Sequence, residues 1–348
     1  MHYLEDVWYC AALATEVSAV PLARTVCDKP IVLFRTESGR TAALEDRCAH
    51  RQAPLSKGRV IGEEIQCIYH GFIFDCAGNC THVPRQESAP AAARIAHYPA
   101  VERWGYVWLW LGAPEAADPA TVPNLAWNAS DRLRPVFFRW NVKANFQLMA
   151  DNLLDVSHTD FLHSNSIGSR IAAKGAADEP RVELDCRIEG KRVHFTRRVR
   201  DTLLGPVSTK WAGSEKPVNR TNYLMWEAPN TIHSVLEFKN DETHHTIHLD
   251  HIMTPETPTT MHYFMNWTRN FGLDNQAYPT DDDVWREQNT VIGGDDIPMV
   301  EAQQANIVRF DGVKDVPARQ DRFIAAVHRT LAQLYGDAGK PVPREIRR

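Results

Sequence analysis

Residues 46–55 read D-R-C-A-H-R-Q-A-P-L and residues 67–71 read C-I-Y-H-G. Each stretch offers one cysteine and one histidine, Cys48 with His50 and Cys67 with His70, and the fold of the first third of the chain turns on reading them together. The gross features limit what they can mean. Seven cysteines at irregular spacing argue against a disulfide framework and for reduced thiols or metal ligands. At 348 residues the chain has room for two domains. Its net charge of −5, with the basic residues dispersed, makes nucleic acid an unexpected partner. The longest strongly apolar run, W-G-Y-V-W-L-W-L-G at 104–112, is too short to span a membrane and reads as a buried strand. The opening M-H-Y-L-E-D has no signal-peptide character, so a cytoplasmic location is expected.

Common zinc modules pair cysteine with cysteine and histidine with histidine. One of each per loop suits instead a Rieske [2Fe–2S] cluster, in which two thiolates hold one iron and two neutral imidazoles the other. Around these loops lie short strand-like segments, I-V-L-F-R (31–35), T-A-A-L-E-D (41–46), G-F-I-F-D (71–75) and Y-V-W-L-W (106–110), which read as a small all-β module. The run A-P-E-A-A-D-P-A-T-V-P-N (113–124) marks a boundary, so the expected division is 1–118 and 119–348. Beyond it a helix is expected over 145–158, strands dominate from about 182 to 270, and the last 50 residues return to helix. The fold class read from this pattern is α+β.

A cluster alone only carries electrons, and D-N-L-L-D-V-S-H-T-D-F-L-H (151–163) offers a second metal site. On a helix Asp155 and His158 are neighbours on one face, with His163 a turn later. Two imidazoles beside carboxylates begin the 2-His-1-carboxylate set that leaves open positions on Fe(II). Taken alone, such a helix is more often structural. Cys76 and Cys80 read as core or turn thiols, because the cluster already has four ligands.

Across residues 46–304 the chain resembles the oxygenase component of Rieske non-haem iron aromatic oxygenases, in particular the vanillate O-demethylase, dicamba monooxygenase and toluenesulfonate methyl-monooxygenase group. The motifs that carry the resemblance are C-A-H-R-Q-A-P-L, C-I-Y-H-G, D-N-L-L-D-V-S-H-T-D-F-L-H, H-I-M-T-P-E-T (251–257), R-N-F-G (269–272) and D-D-I-P-M-V-E-A-Q-Q (295–304). It implies a catalytic domain of the helix-grip, START-like kind. Cys48, His50, Cys67 and His70 would hold the cluster, and His158, His163 and Asp296 the mononuclear iron. Asp295 stands where the group often has Glu, which leaves a choice between Asp295 and Asp296, and the residues by themselves read Asp296 as a helix N-cap before Ile297 and Pro298. Respiratory Rieske proteins carry two further cysteines where this chain has Ala53 and Tyr69, a departure that points to the oxygenases. Asp155 is implied to bridge a neighbouring subunit's cluster and the iron site in a homotrimer, and Asn152 to lie near the iron as a hydrogen-bond donor.

The resemblance further implies electrons from NADH through a separate reductase or ferredoxin, and an aromatic acid as substrate. His251 occupies the place of a pocket histidine that binds a substrate carboxylate. His244, His245 and His248, on the same strand, read as solvated, and Trp285 is discounted for its spacing to Asp296. O-demethylation of a methoxy-aromatic carboxylate is the expected outcome, with hydroxylation of an aryl methyl group or ring as the alternative. A non-enzymatic Rieske carrier, which leaves Asp155, His158, His163 and Asp296 without a purpose, and a zinc-binding structural or regulatory protein, which would be colourless, are the rival classes.

Overall fold

A computed structural model of the chain describes residues 3–168, 182–274, 276, 278–318, 321–343 and 346. They form two compact units, one of residues 3–124 with 254–257, the other of 125–253 with 258 onward.

The first unit is all β. Its strands are β1 (Val7–Leu13), β2 (Leu22–Val26), β3 (Lys29–Arg35), β4 (Thr41–Glu45), β5 (Arg59–Ile61), β6 (Glu64–Gln66), β7 (Ile73–Phe74), β8 (Cys80–His82), β9 (Ala100–Arg103) and β10 (Tyr106–Leu111). They pair as three antiparallel sheets, β1-β10-β9, β2-β3-β4 and β5-β6-β7-β8. β-branched and aromatic residues fill β3 and β10, and every residue of β10 is buried. One cluster packs Val32, Phe34, Leu44, Leu55, Ile65 and Phe74 around Cys48 and Cys67, so the cysteines sit in the floor of a hydrophobic core. The proline-rich run 113–124 folds onto this unit: Trp8 Nε1 lies 3.0 Å from both the Asp118 carbonyl and Thr121 Oγ1.

The second unit is built on a seven-stranded antiparallel sheet of β11 (Arg134–Val142), β12 (Val182–Glu189), β13 (Arg192–Thr202), β14 (Val218–Glu227), β15 (Thr231–Lys239), β16 (His244–Thr257) and β17 (Thr260–Arg269), in the order β11-β17-β16-β15-β14-β13-β12. Helices α1 (Phe146–Leu154), α2 (Pro206–Ala212), α3 (Asp281–Thr290), α4 (Ile297–Arg309) and α5 (Arg322–Asp337) complete it. The molecule is therefore α+β, an all-β unit followed by helices on an antiparallel sheet. Among the described residues no helix is long and apolar enough to cross a membrane.

The start of α3 is fixed by ion pairs from the sheet. Arg134 grips Asp281 with two bonds of 2.7 Å, and Arg269, fully buried at the end of β17, reaches the same carboxylate at 2.9 Å and the carbonyls of Gly272 and Pro279. Val291–Asp296, joining α3 to α4, is a π-helical turn rather than a new start. Asp296 has helical φ and ψ of −67° and −50° and makes no capping bond. The N-cap reading of Asp296 thus gives way: Pro298, which lacks an N–H for the ladder, sits just past a widened turn of one continuous helical path instead of opening a helix.

Candidate metal centres and active site

Cys48 and Cys67 lie in two loops of unlike sequence that make the same turn. In each, the cysteine N–H donates to the carbonyl five residues on (Ala53 and Phe72, both 2.8 Å), and the cysteine carbonyl accepts the N–H four residues on (Gln52, 2.9 Å; Gly71, 3.0 Å). That fourth residue has a positive φ in both loops, 59° at Gln52 and 78° at Gly71. The two thiols are buried side by side, and burial, with the Cys67 thiol beside it, pushes Cys48 up to about 11. Outside them the exposed rings of His50 and His70 lie 4.6 Å apart, and His50 stacks flat on Phe72 at 4.7 Å. Two inner thiols and two outer imidazoles fit a [2Fe–2S] cluster, whose iron would hold the thiols as thiolates despite their burial.

The second centre forms where a helix ends early. α1 stops at Leu154, and Asp155 leaves helical geometry at φ −92° and ψ 83°, its carboxylate accepting the Ser157 N–H at 3.0 Å to open a short 3₁₀ turn. The expected helix over 145–158 is therefore shorter than its periodicity suggests, because an aspartate carboxylate competes with the helix for backbone donors. Asp155 and His158 then share no helical face. His158 Nδ1 instead donates to the Asp155 carbonyl at 2.5 Å.

His163, 1% exposed, follows that turn, and the π turn brings Asp296, also 1% exposed, against both imidazoles. Asp296 Oδ1 lies 3.2 Å from His163 Nε2 and 3.4 Å from His158 Nε2, with one ligand atom from each residue inside a 4.8 Å span. Burial works against charge on His158, yet the Asp296 carboxylate outweighs it and leaves the imidazole above its ordinary value. Burial likewise raises Asp296, and the two imidazoles overcome it to hold the carboxyl low. His158 Nδ1 is taken up by a carbonyl, so its Nε2, that of His163 and a carboxylate oxygen of Asp296 converge, one potential ligand atom from each residue. The donor set fits a 2-His-1-carboxylate iron site. Asp295 stands on the other edge of His163, 3.2 Å from Nδ1.

Asn152, on α1, has a buried Oδ1. His251 is buried on β16, its Nδ1 2.7 Å from the Tyr263 hydroxyl; burial pushes it down to about 4, with the Asp296 carboxylate pulling the other way. Of the other strand histidines, His244 is exposed beside Glu237, whereas His245 stacks on Phe271 at 4.2 Å and His248 on Trp127 at 5.3 Å, so two of the three expected to be solvated lie against aromatic rings. Trp285 is half exposed. Cys76 and Cys80 are partly buried thiols bonded to the Glu63 and His82 carbonyls. Sequence reading missed Phe72, Tyr263 and the Asp151–His328 pair (2.9 Å), none of which stands in a motif whose spacing names its partner.

Comparison with known proteins agrees with this geometry. The family described as Rieske [2Fe-2S] domain matches residues 7–99, and that described as Vanillate O-demethylase oxygenase C-terminal domain matches residues 142–336. The chain is 34% identical to a putative toluene-4-sulfonate monooxygenase system iron-sulfur subunit of Comamonas testosteroni, over 91% of this chain and 93% of that one. It is 32% identical to the dicamba O-demethylase oxygenase component of Stenotrophomonas maltophilia, over 96% and 98%. A crystal structure of dicamba monooxygenase bound to 3,6-dichlorosalicylic acid superposes with a TM-score of 0.90 at 29% identity, covering 98% of this chain and 100% of that one. With a Rieske match over the first unit, a catalytic-domain match over more than half the chain and these relatives over nearly all of it, the chain belongs to the vanillate O-demethylase oxygenase family of Rieske oxygenases.

Proposed function

We propose that this protein is the terminal oxygenase of a cytoplasmic, multi-component monooxygenase, with a Rieske domain over 1–118 and a catalytic domain over 119–348, and that it O-demethylates a methoxy-aromatic carboxylate. The balanced reaction consumes the methyl ether, O2, NADH and a proton and yields the phenol, formaldehyde, water and NAD⁺. The observation that carries the reading is the convergence of His158, His163 and Asp296, with His251 close enough to feel the Asp296 charge. The relatives are named for toluene-4-sulfonate, dicamba and vanillate, and such ring-bearing anions support an aromatic acid here as well.

Cys48, His50, Cys67 and His70 hold the cluster, and His158, His163 and Asp296 the iron. When bound, the cluster supplies single electrons and the iron activates dioxygen. The chain's own part is positioning. Tyr263 donates its hydroxyl proton to His251 Nδ1, which fixes the neutral tautomer with the proton on Nε2; that N–H donates to the substrate carboxylate and orients the methoxy group towards the iron ligands. Asn152 on α1, whose Oδ1 is buried, is the proposed amide donor near the iron. Asp155 serves as the bridge to a neighbouring subunit's cluster in a homotrimer, its carbonyl orienting His158. An NADH-dependent reductase or ferredoxin feeds the cluster.

The test is oxygen uptake by the reconstituted system with a panel of methoxybenzoates, reading formaldehyde and phenol in equal amounts. Hydroxymethyl or ring-diol products without formaldehyde would replace O-demethylation by the hydroxylase reading. Two irons per chain and no substrate-dependent uptake would leave an electron carrier.

A further inference from the structure

The π turn does more than deliver one ligand. It sets two successive carboxylates on opposite edges of one imidazole: Asp296 Oδ1 3.2 Å from His163 Nε2, and Asp295 Oδ2 3.2 Å from His163 Nδ1. His158 is held differently. Its Nδ1 donates to a neutral backbone carbonyl, that of Asp155, at 2.5 Å. The two histidines of the site thus have unlike supports, one charged and one neutral.

We infer that Asp295 is a positioning residue for the metal centre: its carboxylate accepts the Nδ1 proton of His163, locks the tautomer that offers Nε2, and fixes the orientation of the ring. The inference rests on the proposed iron site and deepens it. A carboxylate accepting the far N–H of a ligating imidazole orients the ring and raises the electron density on the ligating nitrogen, and loss of such a partner costs about 10- to 100-fold in metal affinity. Asp295 cannot take the ligand's place from where it stands, because it lies on the Nδ1 edge of His163, whereas the Nε2 atoms of both His158 and His163 face Asp296. Its side chain is 37% exposed, so removing it leaves no buried cavity, while His163 behind it is 1% exposed. The pair D-D at 295–296 is thereby divided into a support and a ligand.

The experiment uses the full chain with its cluster in place and the mononuclear site stripped, titrated anaerobically with Fe(II) against a competing chelator. The near-infrared ligand-field bands of the bound Fe(II) and the melting temperature are recorded on the same samples. Wild type, Asp295→Ala, Asp295→Glu and Asp296→Ala are compared. Asp295→Ala should weaken Fe(II) binding about 10- to 100-fold and shift the ligand-field bands, with the reduced-cluster EPR signal and the melting temperature unmoved. Asp295→Glu should recover affinity to within a few-fold of wild type, and Asp296→Ala should abolish stoichiometric binding. Wild-type affinity and bands in Asp295→Ala would overturn the support role while leaving the iron site standing. Iron retained in Asp296→Ala but lost in Asp295→Ala would exchange the two roles. A wild-type chain that takes up no Fe(II) beyond its cluster would remove the site, and the inference with it.

Discussion

Tyr263 and His251 face each other across adjacent strands of the sheet, hydroxyl to Nδ1 at 2.7 Å, both buried. Burial raises the phenol and lowers the imidazole, so both stay neutral, and the role proposed for His251 takes the phenol as donor and Nδ1 as acceptor. Tyr263→Phe leaves His251 Nδ1 buried without a donor, at a cost of about 1–3 kcal/mol, and frees the ring to present either nitrogen. Steady-state kinetics should show KM for the aromatic acid rising about 10-fold with kcat changing less, the pattern of lost uniform binding. A kcat loss at unchanged KM would place Tyr263 elsewhere in the mechanism.

Removing one of the proposed iron ligands should separate the two centres. His158→Ala should fall from about three irons per chain to about two while the Rieske spectrum stays, because the cluster residues and His158 belong to different compact units. Iron analysis with EPR of the dithionite-reduced protein decides it, and a mutant that keeps all its iron contradicts the assignment.

Gly168 closes the turn that carries both histidines. A Cβ there would come within 2.4 Å of the Thr159 carbonyl and 3.0 Å of that of His163. Gly168→Ala should therefore displace the 158–163 segment and halve iron occupancy or worse, with the cluster untouched; metal analysis at equal protein concentration is sufficient.

The clamp on α3 has one carboxylate for two arginines. Asp281→Ala strands the fully buried Arg269, and breaking such a pair costs about 3 kcal/mol, the low end of its range because Asp281 is itself a third exposed. Denaturant unfolding should register that loss, and a change under about 1 kcal/mol would mean Arg269 draws its support from the carbonyls of Gly272 and Pro279 alone.

His233 gives a pH signature. It lies between Asp250 (3.0 Å) and Glu227 (3.4 Å), and although burial pulls the imidazole down, the two carboxylates prevail and hold it near about 9. The native state then keeps a proton that the unfolded chain releases near 6.5. Stability from this group is complete below about 6.5 and is lost as pH rises towards 9, by on the order of 3 kcal/mol. Melting temperatures between pH 6.5 and 9 should fall, and Glu227→Gln should flatten the slope; a wild-type curve level over that window rules the ion pair out as its source.

Much of this was legible in order along the chain. Cys48, His50, Cys67 and His70 declare themselves because each loop is short and closes on itself, so spacing in sequence is spacing in the fold. His158 and His163 are legible for the same reason. Asp296 is different, since a D-D-I-P string read locally announces a cap, and only a continuous helix with a widened turn denies it. The end of α1 at Leu154 was hidden because the apolar period continues past it while the Asp155 side chain captures a backbone donor. Tyr263 and His233 find partners 12 and 17 residues away through strand pairing, which no local window contains.

The widened turn before α4 also keeps time for the helices on either side. Val284, Gln288, Ile292, Asp296, Val300 and Gln304 follow one another at every fourth residue, and all six are buried. On an uninterrupted α-helix a row of fourth residues slips about 40° at each step and would wind round towards solvent before reaching its end. The slower winding of 291–296 takes back part of that slip, so one inward seam runs from the Asp281 clamp through Asp296 to Gln304, which accepts the Asn145 N–H at the start of α1. A single-residue deletion inside 291–296 would spare every side chain in the seam's flanks and still rotate them out of phase, making the length of this turn, as much as its aspartates, part of what the site requires.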